Sequence, residues 1–205
     1  MGYLDTVIAL LEAEYPAALC SLDYDSPWRL LFAVRLSAQC TDARVNLVTP
    51  ALFARFPTLE AFANAPLEEL EDCIHSCGFY HAKAKDLIGA ARMLLENYGG
   101  VVPDKMEELL KLPGVGRKTA NLILGDVYHQ PAVVTDTHCI RIAGRLGLTV
   151  HKEPEKVERD LAAILPPDKS SDFCHRMVLH GRKYCTARSP KCGDCPLTQV
   201  CKRVL

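Results

Sequence analysis

Lys118 and Asp136 are the residues best suited to chemistry in this chain. A lysine amine is nucleophilic only when neutral, and at a reference pKa of roughly 10.4 about one lysine in a thousand is neutral near pH 7. Nucleophilic use of Lys118 therefore requires a lowered pKa, which burial in a pocket or the neighbouring Arg117 would favour and a nearby Asp136 would oppose. A carboxylate such as Asp136 can stabilise a cation-like transition state or transfer a proton. The ordinary alternatives are a solvent-facing lysine at a helix start and an aspartate that caps a helix.

The segment around Lys118, Leu112-Pro-Gly-Val-Gly-Arg-Lys-Thr-Ala-Asn121, joins two helical patterns. Glycine tolerates backbone conformations and close approaches that a Cβ would block. The amides of Gly114, Gly116 and the first turn of the following helix can therefore point at one anion, which a helix N-terminus also attracts. The segment predicts a phosphate-binding turn, although globular proteins also use such turns simply to connect helices.

The last four cysteines predict a metal or cluster site. Cys185, Cys192, Cys195 and Cys201 form the pattern C-x6-C-x2-C-x5-C in a loop rich in Pro and Gly. Four thiolates at such spacing suit zinc or an iron–sulfur cluster, and the first gap is long for a zinc knuckle. Disulfides are disfavoured without a secretory context. The other six cysteines lie in helical patterns, where a thiol is usually a small buried hydrophobe: Cys20, Cys40, Cys73, Cys77, Cys139 and Cys174.

The elements that must position these residues are predicted to be helices, so the fold class is all-α. Apolar residues recur at helical spacing along the chain, and Ser26-Pro27 is a typical helix start. Ala132-Val-Val134 is strand-like but too short to carry a sheet. The predicted helices are 1–14, 28–39, 42–56, 66–77, 81–98, 106–111, 117–127, 137–146, 154–165 and 172–183.

Composition indicates a soluble globular protein of one large or two small domains. The 205 residues are 49% hydrophobic and 24% charged, and we find neither a signal peptide nor an apolar run of membrane-spanning length. A cytoplasmic location is expected. The net charge of −1 is mild evidence against a nucleic-acid partner. From Arg176 to the C-terminus, however, Lys and Arg residues are frequent and the only acidic residue is Asp194. That region could contact phosphate or be an ordinary solvated tail.

Five segments, in order over essentially the full chain, closely resemble the endonuclease III family of helix-hairpin-helix DNA glycosylases and abasic-site lyases. They are Leu36-Ser-Ala-Gln-Cys-Thr-Asp42, Gly78-Phe-Tyr80 with Lys83-Ala84, the 112–121 segment, Thr135-Asp-Thr-His138 and the four-cysteine pattern. The resemblance implies a six-helix barrel domain at 20–130, with the hairpin at about 106–125. It also implies a discontinuous domain, 1–19 plus 131–205, that holds a 4Fe-4S cluster, with DNA in the groove between the two.

The resemblance assigns the catalytic roles. Lys118 would attack the sugar C1′, expel an oxidised pyrimidine and form a Schiff base that drives β-elimination, while Asp136 would assist. Because a base inside a duplex cannot be reached, the nucleotide must be flipped out. Gln39 would fill the vacated space and Phe79 would wedge the opposite strand. From the residues alone, Gln39 would instead be a helix-end polar residue and Phe79 a core aromatic.

The remaining implied contacts are with double-stranded DNA containing damaged bases or abasic sites. They come from hairpin and C-terminal residues, namely Leu112, Gly114, Val115, Gly116, Arg117, Thr119, His138, Arg188 and Lys191. Related adenine glycosylases lack the lysine at position 118 and carry an extra domain. Cys40 departs from the family, where a small residue is expected. A monomer without membrane attachment, associated with the bacterial nucleoid, is implied. A non-catalytic DNA clamp and a monofunctional glycosylase are the alternatives.

Overall fold

The computed structural model describes residues 2–202, and within them it is helical with no β-strand, which confirms the all-α prediction. The run Ala132-Val-Val134 forms no strand, and the amide of Ala132 donates to the hydroxyl of Ser170 at 3.0 Å. The α-helices are α1 (Tyr3–Glu14), α2 (Pro27–Ser37), α3 (Asp42–Arg55), α4 (Leu59–Ala63), α5 (Leu67–Ile74), α6 (Tyr80–Tyr98), α7 (Met106–Leu109), α8 (Arg117–Asp126), α9 (Thr137–Leu146), α10 (Pro154–Ile164) and α11 (Ser170–Lys183).

Two local predictions are corrected. The five-residue helix α4 was not predicted, because so short a helix gives no periodicity; the Thr58 hydroxyl starts it by accepting from the amide of Ala61 at 3.2 Å. Ser26 does occupy the N-cap position of α2, but its side chain caps no amide. Its hydroxyl instead donates to Asp25 Oδ1 at 3.2 Å.

One compact unit, Ser21–Tyr128, contains α2 to α8. Its core includes edge-to-face aromatic pairs, among them Phe32 and Phe62 with ring centroids 4.9 Å apart and Trp28 and Phe62 at 5.7 Å. Such rings bury large apolar areas and fix the helices that carry them. Helix α2 packs against α6 and α8. The helix that precedes Gln39, the helix that follows Phe79 and the helix that contains Lys118 therefore share this core.

A second compact unit comprises Met1–Cys20 and His129–Leu205, and contains α1 and α9 to α11. Helix α11 packs against α1 and α9, and its Phe173 and Met177 are at most 1% exposed. The predicted domain boundaries at residues 20 and 130 lie beside this division. Residues 1 and 203–205 of the predicted cluster domain lie outside the described part. Naming the units a barrel domain and a cluster domain stays a prediction.

None of the helices in residues 2–202 has the length and apolar character that a membrane crossing would require.

Candidate active site and cysteine cluster

The hairpin turn between α7 and α8 is built on a left-handed glycine. Gly114 has φ +73°, and the amide of Val115 donates to the carbonyl of Leu112 at 3.1 Å to close the turn. The side chain of Leu112 is 2% exposed. Leu112 therefore anchors the turn in the core, and any contact that it makes with DNA must come from its backbone.

Gly114 is required for a reason that sequence reasoning missed. A Cβ at this position would lie 2.5 Å from Nε of Arg35 and 2.7 Å from Oδ2 of Asp86. These two side chains are themselves bonded, with Nε donating to Oδ2 at 2.7 Å. The close approach at Gly114 is thus to an ion pair of this chain, whereas a Cβ at Gly116 would meet open space. Arg35 and Asp86 are too distant in sequence to have signalled this.

The start of α8 has amides available for an anion. Gly116 is the N-cap, no side chain caps the helix, and its first turn has no acidic residue. Within residues 2–202, the amides of Gly116, Lys118 and Thr119 donate to no protein acceptor. The unpaired amides and the positive end of the helix dipole together favour a phosphate oxygen here. Val115 and Thr119 are half-buried at this end and Arg117 is exposed.

Lys118 lies in the first turn of α8 with its side chain exposed, beside the exposed Arg117. The expected burial of Lys118 in a pocket is absent from the free protein. Asn121 and Leu122, one turn further along the same face of α8, are only 5% and 8% exposed, so Lys118 is exposed because it lies in the first turn, where the helix starts from the surface turn. Any desolvation of the amine must come from the bound substrate.

Asp136 is the N-cap of α9. Its Oδ1 accepts a hydrogen bond from the amide of Cys139 at 2.7 Å, and its side chain is half-buried. Asp136 therefore does cap a helix, which was the ordinary alternative to a catalytic role. A cap engages one carboxylate oxygen, so the second oxygen and the charge can still serve a reaction.

Gln39 and Phe79 share an uncommon backbone conformation. Both are non-glycine residues with positive φ, +54° and +50°, and both are exposed. Such residues cost roughly 1–3 kcal/mol each and collect at functional sites. Phe79 is 65% exposed, so the core-aromatic interpretation of Phe79 is wrong. The two side chains stand at the ends of α2 and α6, where a polar residue and an apolar ring meet solvent.

The four C-terminal cysteines line one cavity, together with residues of α9 and α11. Among the described residues, no three metal-ligating side chains converge as a single metal ion would need. A zinc ion draws four sulfurs to about 2.3 Å of one point, whereas an iron–sulfur cluster spreads its thiolates over separate iron atoms. Four cysteines around one cavity supply the donor set that an iron–sulfur cluster requires.

Two side-chain nitrogens that sequence reasoning missed lie close to these sulfurs. Arg145 donates to Sγ of Cys185 at 3.2 Å, and Nε2 of His180 lies 3.4 Å from Sγ of Cys195. His180 is 1% exposed, and burial lowers the pKa of its imidazole to about 4. Hydrogen bonds of this kind stabilise thiolate ligands.

Arginines of α9 hold the loop that carries the cysteines. Arg141 donates to the carbonyl of Cys185 at 2.9 Å, and Arg145 donates to the carbonyls of Thr186 at 2.8 Å and Ala187 at 3.1 Å. Spacing of four residues on one helix could have suggested this shared face. Arg188, the next residue of the loop, is exposed.

The other predicted contact residues of this unit differ in exposure. Lys191 is exposed, whereas His138 is half-buried, with Nδ1 at 3.0 Å from Nη2 of Arg141. A Cβ on Gly181 would lie 2.3 Å from the same Nδ1, so His138 packs directly on α11. Arg176 is only 7% exposed and donates to the carbonyl of Tyr15 at 3.1 Å, so the suggested basic surface does not include it.

Replacing Cys195 with serine is expected to remove iron and visible absorption from the purified protein, because a serine hydroxyl does not replace a thiolate ligand. Iron content per protein and the absorption spectrum measure this. The control is Cys73→Ser, which changes a half-buried cysteine of the other unit. Undiminished iron in the Cys195 variant would contradict the assignment.

Two family profiles match the chain. Residues 32–167 match the HhH-GPD superfamily of base excision DNA repair proteins, and residues 185–201 match the iron-sulfur binding domain of endonuclease III. The second match begins and ends on the first and last of the four cysteines.

Relatives are similar over nearly their whole length. Endonuclease III of Synechocystis sp. is 49% identical over 196 residues, covering 95% of this chain and 90% of that protein. Endonuclease III of Escherichia coli K12 is 37% identical, covering 96% and 93%. The structure of a trapped endonuclease III–DNA covalent intermediate is 41% identical, with a TM-score of 0.91 over 99% of this chain and 97% of that one. A thermostable thymine-DNA glycosylase, 22% identical with a TM-score of 0.85 over 98% of this chain and 96% of that one, shares the fold.

Proposed function

The chain belongs to the endonuclease III family of the HhH-GPD superfamily, and from this membership we propose how its own residues excise a damaged base. The protein is a DNA glycosylase and abasic-site lyase of base excision repair, and it carries a 4Fe-4S cluster. Its substrate is duplex DNA that contains an oxidised pyrimidine. The residue roles below are proposals that rest on the geometry of each unit.

Lys118 is the proposed nucleophile. Its Nζ attacks C1′ of the damaged nucleotide, the C1′–N glycosidic bond breaks, and the base leaves with that electron pair and takes up a proton. Opening of the sugar ring gives a Schiff base between Nζ and C1′. Loss of a proton from C2′ then expels the 3′ phosphate, and water hydrolyses the imine to release Lys118.

The observation that carries this proposal is the first turn of α8, which combines available amides with an exposed lysine. A phosphate held by the amides of Gly116 and Thr119 would be a fixed point of the DNA backbone. Lys118, in the same turn, would then be held within reach of a sugar next to that phosphate. Positioning of this kind makes the attack effectively intramolecular.

Asp136 is proposed to act with Lys118 on the same nucleotide. Its carboxylate would stabilise the positive charge that develops on the sugar as the glycosidic bond breaks, or would accept a proton. The cap to Cys139 holds the carboxylate in one orientation, which reduces the cost of ordering it during the reaction.

Gln39 and Phe79 are proposed to open the duplex. A flipped base leaves a gap, which the amide of Gln39 can fill through hydrogen bonds, while an exposed ring such as Phe79 can stack between bases of the opposite strand. Their exposure supports this role. So does the backbone strain that both residues carry in the free protein.

The cluster is proposed to be held by Cys185, Cys192, Cys195 and Cys201. When bound, it cross-links the C-terminal loop and thereby fixes that loop's shape. The exposed Arg188 and Lys191 of this loop are then presented to DNA phosphates, and His138 with Arg141 supports the loop from α9. We further propose that the protein acts as a monomer in the bacterial cytoplasm, at the nucleoid.

An incision assay tests the proposed function. Duplex DNA with one oxidised pyrimidine is expected to be cut at the lesion, leaving a β-elimination product, whereas the undamaged duplex stays intact. Base release without a strand break would indicate a monofunctional glycosylase. Binding without either reaction would indicate a DNA clamp.

A further inference from the structure

Lys83 is a fully buried lysine that the mechanism above does not use. Its side chain is 0% exposed, and within residues 2–202 it forms no ion pair with a carboxylate. Burial of an ammonium without a counter-charge is costly, and burial lowers the pKa of Lys83. A residue retained at such a cost requires a specific set of bonds to hold it there.

Those bonds are to two backbone carbonyls from separate parts of the unit. Nζ of Lys83 donates to the carbonyl of Leu36 at 2.7 Å and to the carbonyl of Cys77 at 2.9 Å. Leu36 is in the last turn of α2, and Cys77 ends the short 3-10 helix His75–Cys77. Carbonyls at helix ends lack intrahelical partners and carry partial negative charge, so one ammonium caps both ends.

Each capped end leads directly to a strained, exposed residue. Gln39 follows Leu36 by three residues and Phe79 follows Cys77 by two, and these are the two left-handed residues proposed to open the duplex. The amide of Lys83 also donates to the carbonyl of Phe79 at 3.1 Å. Lys83 thus bonds to both chain segments that carry the residues proposed to open the duplex. Those two residues, Gln39 and Phe79, are called the wedge residues below.

We infer that Lys83 is a positioning residue that fixes the spacing between Gln39 and Phe79, so that both enter the duplex together. The inference rests on the proposed function of those two side chains. Its consequence is that the lysine acts on base extrusion and not on the chemical steps at the sugar. A second consequence is that its effect must disappear when Gln39 and Phe79 have been removed.

The test replaces Lys83 with methionine, which keeps an apolar side chain of similar length but removes the ammonium. Opening of the duplex is followed by the fluorescence of 2-aminopurine placed opposite an abasic site, which reports unstacking of that opposite base, and chemistry is followed by single-turnover cleavage. We expect a roughly 10- to 100-fold fall in the cleavage rate on a paired lesion, since small misplacements have effects of this size. The 2-aminopurine signal should fall in parallel, whereas borohydride trapping on a single-stranded abasic site, which needs no extrusion, should be unchanged.

Arg92→Met is the matched control for stability. Arg92 also donates to a backbone carbonyl, that of Ala63 at 2.8 Å, in the same unit but away from both wedge segments. Equal falls in cleavage rate and in 2-aminopurine signal in the Lys83 and Arg92 variants would mean that Lys83 merely stabilises the fold. If Lys83→Met does not fold, Lys83→Gln retains a shorter neutral donor and is expected to show a smaller loss of the same kind.

The decisive comparison is made in a Gln39→Ala, Phe79→Ala background. If Lys83 acts through the wedge residues, Lys83→Met should slow this protein no further on paired DNA. If Lys83→Met lowered the cleavage rate in this background by as much as it does in the parent protein, the inference would be overturned. Failure of the parent protein to cut any lesion would instead refute the proposed function, so the two failures are distinguishable.

Discussion

Lys118→Ala is expected to abolish the covalent adduct that borohydride traps between the parent protein and a duplex with one abasic site. Without an amine no imine can form, and loss of a nucleophile lowers turnover by roughly 10⁴-fold or more in other enzymes that form covalent intermediates. DNA binding should be largely retained, because the amides of the α8 N-terminus do not depend on this side chain. Trapping yield and equilibrium binding are measured on the same duplex.

The chain offers a matched control in Lys111→Ala. Lys111 is also exposed and precedes the same hairpin turn, and it pairs with Glu108 at 3.1 Å. It should trap as the parent does, which separates loss of the nucleophile from loss of one positive charge. An adduct that persists in Lys118→Ala would falsify the assignment of this residue, and absence of adduct from the parent despite binding would indicate a monofunctional glycosylase or a clamp.

Asp136→Asn should lower turnover by roughly 10²–10⁴-fold while the helix cap remains, a loss typical of removing a catalytic carboxylate. Asparagine accepts the Cys139 amide as well as aspartate does, but it carries no charge. The thermal midpoint should therefore stay near that of the parent. Single-turnover base release and thermal unfolding measure the two properties separately.

Asp136→Ala completes this comparison, because it removes the charge and the cap together. It should show the same loss of turnover as Asp136→Asn and, in addition, a loss of about 1 kcal/mol of folding free energy. Full activity in Asp136→Asn would mean that Asp136 is only a cap for α9. Equal destabilisation in both variants would mean that the cap depends on the charge.

The fold class and most helices could be read from local patterns. Helix α9 begins and ends where its periodicity and Asp136 predict, and the glycine after Tyr98 ends α6 as expected, with a left-handed Gly99. The cysteine spacing narrowed the site to zinc or a cluster. Each of these features depends on residues that are neighbours in the chain, so the sequence displays them directly.

The state of individual side chains was predicted less well. Nucleophilic use of Lys118 was expected to need burial in a pocket or a neighbouring positive charge, and its side chain is exposed. Phe79, considered without its family, was expected in the core and is also exposed. Nothing in the local pattern marks the opposite case, in which Lys83 is fully buried while the other lysine of the same helix, Lys85, is exposed. Burial depends on which distant segments meet a side chain, and one sequence does not state this.

The sequence by itself therefore determined most of the helices, the turn before Lys118, the cap at Asp136 and the set of four cysteines. Only the tertiary structure decided that Gly114 must accommodate the Arg35–Asp86 pair, that Arg145 and His180 face the cysteine sulfurs, and that Lys83 joins the segments of Gln39 and Phe79. The physical reason is how far apart in the sequence the interacting residues lie. Backbone periodicity and capping are set within a few residues, whereas close approaches and buried hydrogen bonds join atoms that the chain brings together only when it folds.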